Sequence, residues 1–108
     1  MGDHDTLARL AGTIKARRSD AAEKSYTKQL LDAGPVCCAK KFGEEAVETV
    51  LAAVDADPAH LTAEAADTLY HLLVLLESRG VALADVLAVL EARMGTSGLD
   101  EKASRGKS

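Results

Sequence analysis

Residues 36–55 and 58–79 restrict the fold more than any other part of the chain. Each carries apolar residues at helical spacing, and each interrupts that pattern with a pair of carboxylates. In the first stretch Val47, Val50, Leu51 and Val54 are apolar, while Lys41, Glu44, Glu45 and Glu48 fall within about one third of the helix circumference. In the second, Leu69, Leu72, Leu73, Val74, Leu75 and Leu76 are apolar, and Glu64, Asp67 and His71 share a narrower stripe. Helices of this composition must pack against something. If they pack on each other, their acidic stripes meet. Clustered carboxylates repel and are costly to desolvate unless a hard cation with a preference for oxygen ligands neutralises them.

Composition agrees with helices. The chain has 108 residues and is 47% hydrophobic, with two Tyr, one Phe and no Trp, so Ala, Leu and Val must build the core. An all-α fold is expected: an antiparallel bundle of about four to five helices, in one domain over residues 1–95, with a polar tail over 96–108. A chain this short buries a modest fraction of its surface, so a homodimer is expected to complete the core. The net charge of −4 argues against a nucleic-acid partner. No stretch approaches a membrane span, and Met1-Gly2-Asp3-His4-Asp5 lacks the order of a signal peptide, so a cytoplasmic location is expected. Cys37 and Cys38 are adjacent, which rules out the gap of a zinc hook and makes a disulfide between them awkward. They read as small thiols in or near the core.

Punctuation along the chain divides it. A first helix is expected over residues 3–18, with Asp3 or Asp5 near its start and Leu7, Leu10, Ala11 and Ile14 on its apolar side, followed by a connection over 19–24. Ser25-Tyr26-Thr27 leads into a short helix that Gly34 ends and Pro35 prevents from continuing. Asp57 is placed to cap the next long helix and Pro58 to occupy its first position, with Gly80 at its end. Leu83, Val86, Leu87 and Leu90 then give a fifth amphipathic helix ending at Gly95. Gly43 stands inside a helix beside the acidic cluster, at a cost of about 1 kcal/mol relative to Ala. A close approach of backbone or ligand would explain it.

Each acidic pair alone also reads as solvated helix surface. Their coincidence on neighbouring helices favours a metal. Oxygen-only ligands select Mg²⁺, with Mn²⁺ as a substitute, and magnesium binds substrate phosphates, so hydrolysis or transfer at phosphorus follows. Lys41 reads either as an i,i+4 partner of Glu45 or as a contact for a phosphate oxygen. A di-iron bundle would need two Glu-x-x-His motifs, which the chain lacks. His71 reads as a helix-face or hydrogen-bonding residue rather than as a ligand.

The pattern Glu45-x-x-Glu48, a spacer, then Glu64-x-x-Asp67 resembles the all-α nucleoside triphosphate pyrophosphohydrolase superfamily. Ser25-Tyr26-Thr27 with Leu30-Leu31 and Gly34, Lys41-x-Gly43-Glu44-Glu45-x-x-Glu48, Asp67-x-x-Tyr70-His71-Leu72-Leu73, and Ser97-Gly98-Leu99-x-Glu101-Lys102-Ala103-Ser104-Arg105 narrow the resemblance to the phosphoribosyl-ATP pyrophosphohydrolases of histidine biosynthesis. Departures are Cys37-Cys38, where a polar or aliphatic pair is expected, and Asp100, where Glu is frequent. The resemblance implies Mg²⁺-dependent hydrolysis of 1-(5-phosphoribosyl)-ATP to 1-(5-phosphoribosyl)-AMP and pyrophosphate. It further implies metal ligation by Glu45, Glu48, Glu64 and Asp67, with Glu44 orienting or deprotonating the attacking water or else supporting the ligands. Lys41 would offset triphosphate charge, and Lys102, Ser104 and Arg105 would cover the phosphates. Ser25, Tyr26 and Thr27 read equally as a capping segment or as phosphate donors. Two rival functions are a housecleaning nucleoside triphosphate pyrophosphohydrolase and a non-enzymatic helical dimer that binds a cation.

Overall fold

A computed structural model describes residues 6–94. Five α-helices make up this region, α1 (Thr6–Ala16), α2 (Tyr26–Ala33), α3 (Pro35–Ala53), α4 (Pro58–Ser78) and α5 (Leu83–Met94), with no strand among the described residues. The expected 19–24 connection is two short 3₁₀ turns, Arg17–Ser19 and Ala22–Lys24, the first of which takes the last residues expected of the first helix. Asp3, Asp5, Gly95, Leu99 and the tail residues Lys102, Ser104 and Arg105 lie outside the described region.

The helix ends follow local chemistry. The Ser25 hydroxyl accepts from the Lys28 N–H at 3.1 Å and caps α2. Gly34 has φ of 94°, a conformation that L side chains rarely adopt, and lets the chain leave α2 and enter α3 without a linker. Pro35 both stops α2 and begins α3, because its missing N–H costs nothing in a first turn. The Asp57 carboxylate accepts from the Ala59 N–H at 3.0 Å, and Pro58 opens α4 as expected. Gly80, at φ of 70°, turns the chain toward α5.

The four-residue turn between α3 and α4 makes them an antiparallel hairpin, since a link that short joins only neighbouring helices of opposite direction. α1 packs on α4, α2 packs on both helices of the hairpin, and α5 reaches the core through Leu83. Ile14 from α1, Leu30 from α2, Cys38 from α3 and Leu73 and Val74 from α4 form the buried core, with Leu7, Leu10, Ala11, Tyr70, Leu76 and Leu83 packed around them. Full burial of such aliphatic side chains contributes roughly 1.5–3 kcal/mol each. Cys38 is fully buried and donates its S–H to the Leu30 carbonyl at 3.1 Å, and both cysteines are free thiols. An ion pair and a backbone hydrogen bond from Arg18 to Glu77 fasten the 3₁₀ turn after α1 to the end of α4.

A different face of α3 is uncovered. Val36, Val47, Val50 and Val54 are 87%, 56%, 65% and 85% exposed, and Gly43 shares their stripe. A Cβ added at Gly43 would meet no atom within 4 Å. No part of the described chain approaches this glycine, so the backbone half of that expectation is not met. A cavity of about 480 Å³ separates α1 from the end of α4 and the start of α5, lined by Ala11, Gly12, Leu73, Leu76, Leu83 and Leu87 among others. None of the candidate site residues among the described residues borders it.

Candidate metal centre

α3 and α4 run antiparallel, so a turn in the middle of α3 faces a turn in the first half of α4. Glu45 from the one and Glu64 and Asp67 from the other each present a carboxylate oxygen within 4.8 Å of the other two. Glu45 and Glu64 are partly buried and Asp67 is exposed. Glu48, the fourth carboxylate expected, is exposed and lies outside this group. The set consists of hard oxygen donors carrying three negative charges at close range, which matches a cation such as Mg²⁺ in charge and donor type.

Cationic and aromatic groups border the trio. The Lys41 ammonium is 3.6 Å from Glu44, an i,i+3 contact rather than the i,i+4 contact with Glu45 considered from the sequence. Its ammonium is held above the usual lysine range, first by Tyr26 and then by Glu44 and Glu45. His71 is buried, with its ring edge-on to Tyr70 and Tyr26 at centroid separations of 4.9 and 6.3 Å. Its Nε2 is 4.0 Å from a Glu45 oxygen, too far for a hydrogen bond. Burial pushes the His71 imidazole below its usual range, against the pull of Glu45 and Asp67, and so favours its neutral form. On the outer side, His60 bridges Asp55, at 3.1 Å from Nδ1, and Glu64, at 3.7 Å from Nε2.

The Ser-Tyr-Thr segment divides by role. Ser25 is buried and caps α2. The Thr27 hydroxyl is 2.5 Å from the Tyr70 hydroxyl and joins α2 to α4, while Tyr26 is 52% exposed. Sequence reasoning missed two residues that the hairpin brings together, Thr49 and Thr68, whose hydroxyls are 2.6 Å apart beside the carboxylate trio. Thr49 is one turn beyond Glu45 and Thr68 one turn beyond Glu64, the only signal in the sequence that could have marked them.

The described residues are helical and their two longest helices bring carboxylates together, as the resemblance to the all-α nucleoside triphosphate pyrophosphohydrolases implies. The family model for phosphoribosyl-ATP pyrophosphohydrolase matches residues 7–94, and the chain belongs to that family. It is similar to phosphoribosyl-ATP pyrophosphatase 1 of Rhodopseudomonas palustris, with 61% identity over 93% of this chain and 94% of that protein. It is also similar to the phosphoribosyl-ATP pyrophosphatases of Cereibacter sphaeroides, at 59% identity over 93% and 97% of the two chains, and of Dinoroseobacter shibae, at 61% over 92% and 97%. No helix among the described residues is long and apolar enough to cross a membrane.

Proposed function

We propose that this chain hydrolyses 1-(5-phosphoribosyl)-ATP to 1-(5-phosphoribosyl)-AMP and pyrophosphate, the second step of histidine biosynthesis. One observation carries this reading: about 60% identity, over more than nine tenths of each chain, to proteins that bear that name. The products require that water add at phosphorus and that the anhydride bond between the α- and β-phosphates break. A triphosphate brings several negative charges to a protein that is itself acidic, so local positive charge must meet it.

Glu45, Glu64 and Asp67 would hold Mg²⁺, with Glu48 as a further ligand. Bound there, the ion would neutralise phosphate charge and make a coordinated water more acidic. Lys41 sets a fixed cation beside the same face and offsets charge that grows at phosphorus. Glu44, held toward Lys41, is the base that orients or deprotonates the attacking water. With Ser25 engaged in capping and Thr27 paired to Tyr70, Tyr26 is the member of that segment that serves the phosphates. Lys102, Ser104 and Arg105 would cover them from the tail.

The functional unit is a homodimer. The exposed stripe of Val36, Gly43, Val47, Val50 and Val54 runs the length of α3, and Gly43 leaves room there for a second helix to come close. This reading supports a partner of the same kind and gives Gly43 a reason that its own chain does not.

A pyrophosphate-release assay tests the substrate. Turnover of phosphoribosyl-ATP in Mg²⁺, with kcat/KM at least a hundredfold above that for ATP, is the expected result. Equal or better use of ATP would replace this reading with general nucleoside triphosphate hydrolysis, and no release from either would remove the enzyme.

A further inference from the structure

Thr49 and Thr68 form a polar link between α3 and α4 at the level of the carboxylate trio. The Thr49 Oγ1 is 3.1 Å from the Glu45 carbonyl on its own helix and 3.0 Å from the Glu64 carbonyl on the other. The Thr68 Oγ1 is 3.0 Å from the Glu45 carbonyl across the interface and 2.6 Å from Thr49. A helical threonine ordinarily donates to the carbonyl four residues back on its own helix, as Thr13 does to Arg9 at 3.0 Å and Thr62 to Pro58 at 2.9 Å. Thr68 departs from that habit and makes its contacts across the hairpin.

Counting protons shows what the link joins. Two hydroxyl protons serve four contacts, and the short oxygen–oxygen contact must hold one of them. If Thr68 donates to Thr49, the Thr49 proton goes to the Glu64 or Glu45 carbonyl. If Thr49 donates to Thr68, the Thr68 proton goes to the Glu45 carbonyl. In both arrangements a hydrogen bond crosses from helix to helix, and the link ends on the backbone of a residue whose carboxylate belongs to the trio.

We propose that Thr49 and Thr68 are positioning residues for the cation site. Their link fixes the separation and rotation of two helical turns, so that Glu45 meets Glu64 and Asp67 at ligand distance although the three carboxylates repel. The inference rests on the reading of the trio as a cation site. Glu45 and Glu64 lie inside their helices, so each carbonyl also accepts the N–H four residues on, and loss of a hydroxyl orphans neither. The fold survives its removal, while the alignment of the carboxylates does not.

The test is Mn²⁺ binding to the full chain, followed by electron paramagnetic resonance without nucleotide, with melting of the metal-free protein as the control. The double variant Thr49→Val with Thr68→Val should raise the Mn²⁺ dissociation constant at least fivefold, and each single variant by less but by more than twofold, because the hydroxyl that remains can still donate to a carbonyl across the hairpin, Thr68 to Glu45 or Thr49 to Glu64. Thr49→Ser and Thr68→Ser, which restore the hydroxyl, should bind within twofold of wild type, a recovery that simple packing at these positions does not predict. Val variants that also bind within twofold would overturn the proposal. If in that case Asp67→Asn weakens binding, the cation site stands without the positioning role. If the wild type fails to bind Mn²⁺, or Asp67→Asn binds as well as wild type, both readings fall. Should the Val variants not fold, Thr49→Ala and Thr68→Ala replace them, and failure of those to fold would make the hydroxyls structural and end the proposal.

Discussion

Asp67→Asn isolates the charge of the trio, since it keeps the side chain's shape and removes one of three carboxylates whose oxygens lie within 4.8 Å of one another. Two unit charges at that distance repel by roughly 1 kcal/mol in water, and Asp67 takes part in two such pairs. Asp67 is exposed, so solvent and salt screening cut the sum by about half, leaving about 1 kcal/mol of repulsion removed. For a domain of this size that corresponds to a rise in Tm of about 4–8 °C in the absence of metal at low salt. Metal reverses the order. Wild type should gain about 2.7 kcal/mol when Mg²⁺ stands at a hundred times its dissociation constant, whereas the variant gains little and turns over little. Melting curves in chelator and in Mg²⁺, at low and at high salt, measure all of this. A variant that melts below wild type in chelator and gains as much from Mg²⁺ would refute the shared charge of the trio and its assignment as a cation site.

Sedimentation at micromolar concentration should give twice the monomer mass, and Val47→Asp on the open face of α3 should shift the protein to monomer; a monomeric wild type would remove the dimer. Deleting the residues after Gly95 should lower kcat/KM by at least about tenfold, equivalent to roughly 1.4 kcal/mol, with helicity retained. A value within twofold of full length would show that Lys102 and Arg105 do not serve the substrate. The Asp55–His60 pair gives a pH dependence with a definite sign. Hydrogen bonding to Asp55 raises the His60 imidazole above its usual range, so its contribution is present at lower pH and is lost as pH rises through that raised value. His60 holds Asp55 below the usual carboxylate range, so that contribution is lost as pH falls through the lowered value. The pair therefore matters between the two ranges, and His60→Ala should lower metal-free Tm at pH 5 while changing it little at pH 9; equal losses at both would refute the pairing.

The places where the chain turns were legible because single residues decide them. Gly34 supplies a backbone conformation closed to other residues, Pro35 and Pro58 lack an N–H that a first turn does not need, and Ser25 and Asp57 accept the N–H groups that helix starts leave over. Each of these acts over a few residues, so the sequence carries the whole cause. The convergence of Glu45, Glu64 and Asp67 was legible for another reason, since acidic stripes on two apolar helices joined by a four-residue turn have few other ways to lie. Which carboxylates face which is a matter of register. Spacing treats Glu45 and Glu48 alike, yet rotation of α3 against α4 directs one into the hairpin and leaves the other exposed. That rotation depends on contacts such as Thr49 with Thr68, residues nineteen apart in the chain, whose meaning appears only once the helices are paired. Lys41 shows the same limit on a single helix, where Glu44 and Glu45 are both within reach and the choice of Glu44 follows from Glu45 turning inward toward α4. The local rules therefore establish the helices and their ends, while the geometry that makes carboxylates a site belongs to the packing between them.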